Sequence, residues 1–304
     1  MKRFLCFTVS VCLFSSVFAQ IDSVRITPQD TLKASDTLRT NLPTSHNSNY
    51  SSEKTKLQIY KLKPAVDIPV FAVGAGWSAY AFTKIYSKPH STEEQILGLN
   101  KNNIPWFDRW AVRPFSESLD RISYYPFFAS MPLPFLFLTG EKTRKDFFKL
   151  TFLYLEAMSI TGFLYTGSVY FADRYRPYAY TDESTIEQRT RGGAKNSFYA
   201  GHVALVATST FFMAKVYADY HPGSNVKWLF YTLAGAATAA TAGLRLAAGQ
   251  HFPSDLLLGA AQGTLTGLLV PQLHKHKIIK DPNLSIMPDG NGKSFGFACL
   301  YNIK

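Results

Sequence analysis

Stretches dominated by apolar residues recur six times along the chain, at about 68–86, 124–139, 147–170, 199–216, 228–244 and 254–273. Each is long enough for a core or bilayer helix. Several are apolar around the whole circumference, and residues 233–244 are almost entirely Ala, Gly and Thr between two leucines, a composition that suits close helix packing in a membrane or a tight bundle. The pattern predicts an all-α fold, a six-helix transmembrane bundle, with a soluble bundle as the alternative. Segments 68–86 and 124–139 are marginal as full spans.

The flanks have a different character. Residues 1–19 combine Lys2 and Arg3, an apolar run and the small residues Val17 and Ala19, as a cleavable secretory signal peptide does. Residues 20–66 are rich in Ser, Thr, Asn, Asp and Lys without a sustained apolar period, and read as a flexible linker. The helical domain then covers 67–275. The tail, 276–304, starts basic and ends in two runs separated by Asp289-Gly290 and Asn291-Gly292, a pattern that fits a short β-hairpin. Between the first two helices, residues 104–110 mix aromatics with charge, as an interfacial segment does.

Composition supports the membrane reading. Hydrophobic residues are 46% of the chain and charged residues only 17%, where a soluble domain carries about 25%. The formal net charge of +11 fits nucleic acid, anionic lipid or membrane-flanking basic residues, and export argues against nucleic acid. Cys6 and Cys12 fall inside the signal segment, so Cys299 is the single cysteine of the exported chain. That excludes an internal disulfide and a cysteine-based metal site.

Polar residues at the helix ends gather in three clusters: Asp173-Arg-Tyr-Arg-Pro177, Ser197-Phe-Tyr-Ala-Gly-His202, and Arg245 through His251 to Asp255. If neighbouring helices are antiparallel, all three meet at one end of the bundle. Pro253 suits the first turn of a helix, which places Asp255 where its carboxylate reaches back to an imidazole nitrogen of His251. One ring nitrogen is then held and the other is free as nucleophile or base. Arg176 and Arg245 offer guanidinium forks suited to phosphate oxygens. Gly201 and His202 open a helix, whose N–H groups face an anion. A metal site from His202, His251 and Asp255 is disfavoured, because two arginines repel a cation. Arg174, Arg191 and Lys195 read as solvated loop charges, with a place at the anion as the alternative, and His46, His90, His221, His274 and His276 read as solvated loop residues.

Arg176-Pro177, Gly201-His202 and Arg245-x5-His251-x3-Asp255 resemble, in order and spacing, the signature of the type 2 phosphatidic acid phosphatase family, which is related to bacterial acid phosphatases and vanadate-dependent haloperoxidases. Three positions depart from that signature: Val169 stands where the family has lysine, Tyr199-Ala200 where it has Pro-Ser, and Leu244 where it has serine. The resemblance implies metal-independent hydrolysis of a membrane lipid phosphate or diphosphate through a phosphohistidine on His251. His202 would protonate the leaving oxygen, Asp255 would orient His251, and Arg176, Arg245 and Gly201 would hold the phosphoryl group. No cofactor is implied. The departures keep open a phosphate-binding membrane protein without turnover, and the relatives a vanadate-dependent haloperoxidase.

Basic residues at Lys142, Arg144, Lys145, Lys149, Lys215, Lys227 and 275–280 lie away from the three clusters along the helices, which predicts a cell-envelope membrane protein with its site facing the periplasm. A cleaved signal peptide agrees with that orientation only if 68–86 does not fully span.

Overall fold

A computed structural model describes residues 59–275, 284–290 and 295–301. Nine α-helices occur among the described residues: α1 (Pro64–Tyr86), α2 (Glu93–Leu97), α3 (Glu117–Ser130), α4 (Glu141–Lys145), α5 (Phe147–Phe171), α6 (Ile186–Thr190), α7 (Gly201–Tyr220), α8 (Lys227–Ala247) and α9 (Pro253–Leu273). Two strands, β1 (Leu284–Gly290) and β2 (Phe295–Tyr301), pair antiparallel with Leu284 opposite Tyr301 and Gly290 opposite Phe295. Residues 1–58, where the signal peptide and most of the linker are expected, lie outside the described residues, as do 276–283.

The apolar run at 124–139 is not one helix. The helix begins earlier, at Glu117, and ends at Ser130, and Leu133–Leu138 form a separate 3₁₀ segment. The prolines explain the break. Pro132 and Pro134 supply no N–H to an α ladder, and proline drives the residue before it out of the α region. The packed body also starts sooner than the expected linker boundary at 66. Tyr60 is fully buried and donates its hydroxyl to Asp219 at 2.7 Å, and α1 is already under way at Pro64.

Helices α7 and α9 approach closely because α9 presents glycines every fourth residue. A Cβ on Gly259, Gly263 or Gly267 would lie 2.6, 2.1 or 2.6 Å from the carbonyls of Ala200, Ala204 and Thr208. Small residues at that spacing let two backbones meet along one stripe. Helix α8 packs by Ala234, Thr238, Thr241 and Arg245, which share one buried face. The small-residue run in α8 is thus not the tightest crossing; the glycine stripe of α9 is.

Helices α1, α5 and α9 are long and apolar enough to cross a membrane. Large side chains on them face outward, including Val73, Leu155, Leu164, Leu257, Leu265, Leu269 and Leu273. On α9 the spacing 257, 265, 269, 273 traces one helix face, as lipid contact requires. At 23 residues α1 is a full-length span by its size, contrary to the expectation that 68–86 falls short. With α1 crossing, a cleaved leader and the basic residues put the site on opposite sides of the membrane.

The chain reverses between long helices, so the C-terminal ends of α5 and α8 lie with the N-terminal ends of α7 and α9. Segments 104–116, 172–200 and 248–252 close over that end.

Candidate active site

His251 sits in the short connection between α8 and α9. Gly249 makes that turn with φ +71°, and a Cβ there would stand 2.8 Å from the Pro114 carbonyl, so both backbone conformation and space call for glycine. Pro253 then starts α9 in the pre-set helical φ. His251 is 2% exposed, and its Nδ1 lies 2.7 Å from the Ser197 carbonyl. A carbonyl only accepts, so Nδ1 carries the proton and Nε2 keeps its lone pair.

The carboxylate expected to hold that imidazole does something else. Asp255 is fully buried and accepts from Arg174, from the Ser197 hydroxyl at 2.7 Å and from the Phe252 N–H at 3.0 Å. Its link to His251 therefore runs through Ser197, whose carbonyl receives the imidazole and whose hydroxyl donates to the carboxylate. In the first turn of α9 the short aspartate side chain turns back to the helix's own first N–H, the satisfaction an orphan donor seeks.

Arg174 is likewise not a solvated loop charge. It pairs with Asp255, bonds Asp108 at 2.7 Å and Ser254 at 3.0 Å, and lies over the Phe252 ring at 4.6 Å. Asp108, fully buried, also takes the Ser254 N–H at 3.0 Å and the Ser254 hydroxyl at 2.5 Å. It caps α9 from the aromatic loop, whose Trp106 and Trp110 remain exposed. Arg191, by contrast, is an exposed partner of Glu187, as expected.

Arg245, 2% exposed, donates to Asp120 at 2.5 Å and to Ser123 at 3.1 Å, with the Tyr124 ring 5.9 Å from its guanidinium carbon. His202, in the first turn of α7, meets the edges of Tyr124 and Phe127 at centroid distances of 4.6 and 4.9 Å. Helix α3 thus supplies an acidic and aromatic wall. Nothing local in the sequence marks Asp120, Ser123, Tyr124 or Asp108 as belonging here, because each reaches the site from a distant segment.

Arg176 and Arg245 share one further property: the Nε of each is buried without a hydrogen-bond partner among the described residues. Both guanidinium groups act electrostatically on His251, as does His202. Gly201 has a packing role, since a Cβ there would fall 2.5 Å from the Tyr165 ring. Val169 is fully buried against Ala81 and Ile85, and the nearest ammonium at that position belongs to Lys88, which donates to the Val169 carbonyl and to Asp173, each at 2.7 Å.

Burial, then the charges of Arg176 and Arg245, hold the His251 imidazole well below its ordinary range, and the bond to Ser197 opposes them only in part. The unprotonated ring is the form with a nucleophilic lone pair, so it persists as pH falls past the ordinary value of about 6.5. The acid limb of kcat/KM is expected below pH 6.5. Arg176→Gln removes a charge that disfavours imidazolium, so it should move that limb upward. A limb that stays in place in the variant, or that lies above 6.5 in the native protein, would contradict this.

Buried Arg245, half-buried Arg176 with its Nε enclosed, His251 with a free Nε2 and His202 at a helix start thus lie at one end of a bundle with membrane-type helices. Residues 150–279, a segment that holds Arg176, His202, Arg245, His251 and Asp255, match the PAP2 superfamily. The chain is also similar to the crystal structure of the first transmembrane PAP2 type phosphatidylglycerolphosphate phosphatase from Bacillus subtilis. That similarity has 18% identity over 68% of this chain and 94% of the other, with a TM-score of 0.39. No curated protein matches the chain.

Proposed function

We propose that the protein hydrolyses a lipid-borne phosphate ester or diphosphate without a metal in the reacting site. The observation that carries this is the pair of buried, unpartnered Nε–H groups of Arg176 and Arg245 beside His251. A buried donor without a partner costs about 1–3 kcal/mol, and an anionic phosphoryl group supplies acceptors for both. His251 Nε2 attacks phosphorus, the P–O bond to the leaving group breaks, and the departing oxygen is protonated by His202, whose imidazole burial and the charges of Arg245 and Arg176 hold below its ordinary range until the phosphoryl anion offsets those charges and it takes up a proton. Water then cleaves the phosphohistidine and returns the free imidazole and orthophosphate. Arg176 and Arg245 hold the charge that gathers on the phosphoryl oxygens. The three apolar helices support a substrate that arrives from the bilayer.

A second reading, phosphate-lipid binding without turnover, is favoured by two features. Val169 is enclosed in apolar side chains where relatives carry lysine, and Asp120 already neutralises part of Arg245. Purified full-length protein in detergent, offered phosphatidic acid, phosphatidylglycerol phosphate and a polyprenyl diphosphate, is expected to release orthophosphate from at least one. Saturable binding of orthovanadate with no release from any of the three would establish the second reading.

A further inference from the structure

Asp67, Glu156 and His274 lie far apart in the chain, and nothing in their local sequence links them. The fold brings them together at the end of the bundle away from His251. Helix α9 separates the two places, since His251 precedes it and His274 follows its 21 residues, a length of about 30 Å. Asp67 stands in the first turn of α1, Glu156 on α5 and His274 directly after α9. Among the described residues, these are the three helices long and apolar enough to cross a membrane.

All three side chains are buried, at 2%, 4% and 9% exposure. The expectation of a solvated His274 fails because the chain continues past α9 against Tyr60 and Lys61, with a Lys61 N–H to His274 carbonyl bond of 2.8 Å. His274 Nδ1 lies 2.7 Å from the Val270 carbonyl, so it carries the proton and Nε2 faces the carboxylates. Nε2 is 3.2 Å from Asp67 Oδ1 and 3.7 Å from Glu156 Oε2. One ligand atom from each residue falls within 4.8 Å of the others. The second Asp67 oxygen is occupied by the Lys63 N–H at 2.5 Å, whereas Glu156 Oε2 is buried with no hydrogen-bond partner.

The geometry points to a divalent-metal site, of the zinc class, built from His274 Nε2, Asp67 Oδ1 and Glu156 Oε2. Ligand atoms on a tetrahedral ion with bonds of about 2.0–2.1 Å stand roughly 3.3 Å apart, close to the 3.2 and 3.7 Å that separate the imidazole nitrogen from the two carboxylates. A backbone carbonyl on the other imidazole nitrogen is the usual outer support of a ligating histidine. The ion would tie α1, α5 and α9 at one point and act on stability, remote from the phosphate chemistry.

The test uses the full-length protein in detergent, purified without a polyhistidine tag, stripped with chelator and reloaded with Zn²⁺. About one zinc per chain is expected to remain after desalting, and zinc should raise the Tm by at least about 5 °C. Glu156→Gln keeps shape and polarity and should lose both the bound zinc and the Tm response. His274→Gln should do the same, and a failure of that variant to fold leaves Glu156→Gln and the native metal content to decide. Equal zinc content and equal Tm response in the native protein and Glu156→Gln would overturn the site and assign the metal to surface histidines. A Tm that follows pH but ignores zinc would also overturn it, leaving a histidine–carboxylate ion pair.

Discussion

His251→Ala is expected to lower phosphate release by more than about 10⁴-fold while leaving the fold in place. The large kinetic effect follows from removing the only atom assigned to attack phosphorus; deleting a nucleophile from a unit whose members act together abolishes nearly all of the unit's contribution. The small structural effect follows from what the side chain does in the resting protein. It makes one hydrogen bond, to the Ser197 carbonyl, worth about 1 kcal/mol net. A thermal melt should therefore shift by only a few degrees. Rapid acid quench during turnover should trap labelled phosphate on the native chain and none on the variant. Release at a tenth of the native rate or more would remove His251 from the role of nucleophile. Loss of activity with a collapsed melt would call for His251→Gln, which keeps a donor for the carbonyl.

Arg176→Ala is expected to cost roughly 10²–10³ in kcat/KM, the order found when one donor is deleted from a preorganised anion cradle. It should weaken inhibition by orthovanadate in parallel, because vanadate takes up the five-coordinate form of the transferring group. Arg176 is the cleaner of the two arginines to remove. Its Nε has no partner among the described residues, so its loss strands none there. Arg245 is paired with Asp120 in a nearly closed setting, and removing one member of such a pair leaves an uncompensated charge at about 3–5 kcal/mol. Arg245→Ala should therefore lose stability together with activity, and only the Arg176 variant separates binding from folding. Unchanged vanadate inhibition in a well-folded Arg176→Ala would show that the guanidinium does not touch the anion.

What could be read along the chain was whatever repeats locally. The apolar runs located the long helices because a helix that is buried or lipid-facing on all sides must be apolar on all sides. The cluster from Arg245 to Asp255 announced a site because buried charge at a helix junction is expensive and so needs a use. The break of the 124–139 run was within reach of the same reading, since Pro132 and Pro134 stand in it. The tertiary structure alone decided which partner each polar group takes. Spacing placed Asp255 near His251, but the carboxylate's oxygens are claimed by Arg174, Ser197 and the Phe252 N–H. That competition depends on segments distant in sequence, and no periodicity encodes it. The same holds for Asp108 and Asp120, which look like ordinary loop and helix-surface acids until two arginines arrive from elsewhere. His274 followed an apolar helix and preceded a basic tail, the profile of a solvated residue. It is buried because the chain leaving α9 pairs with Tyr60 and Lys61 and sets the imidazole against Asp67 and Glu156, residues distant in sequence, so its burial is a property of the packed helices and not of any one segment.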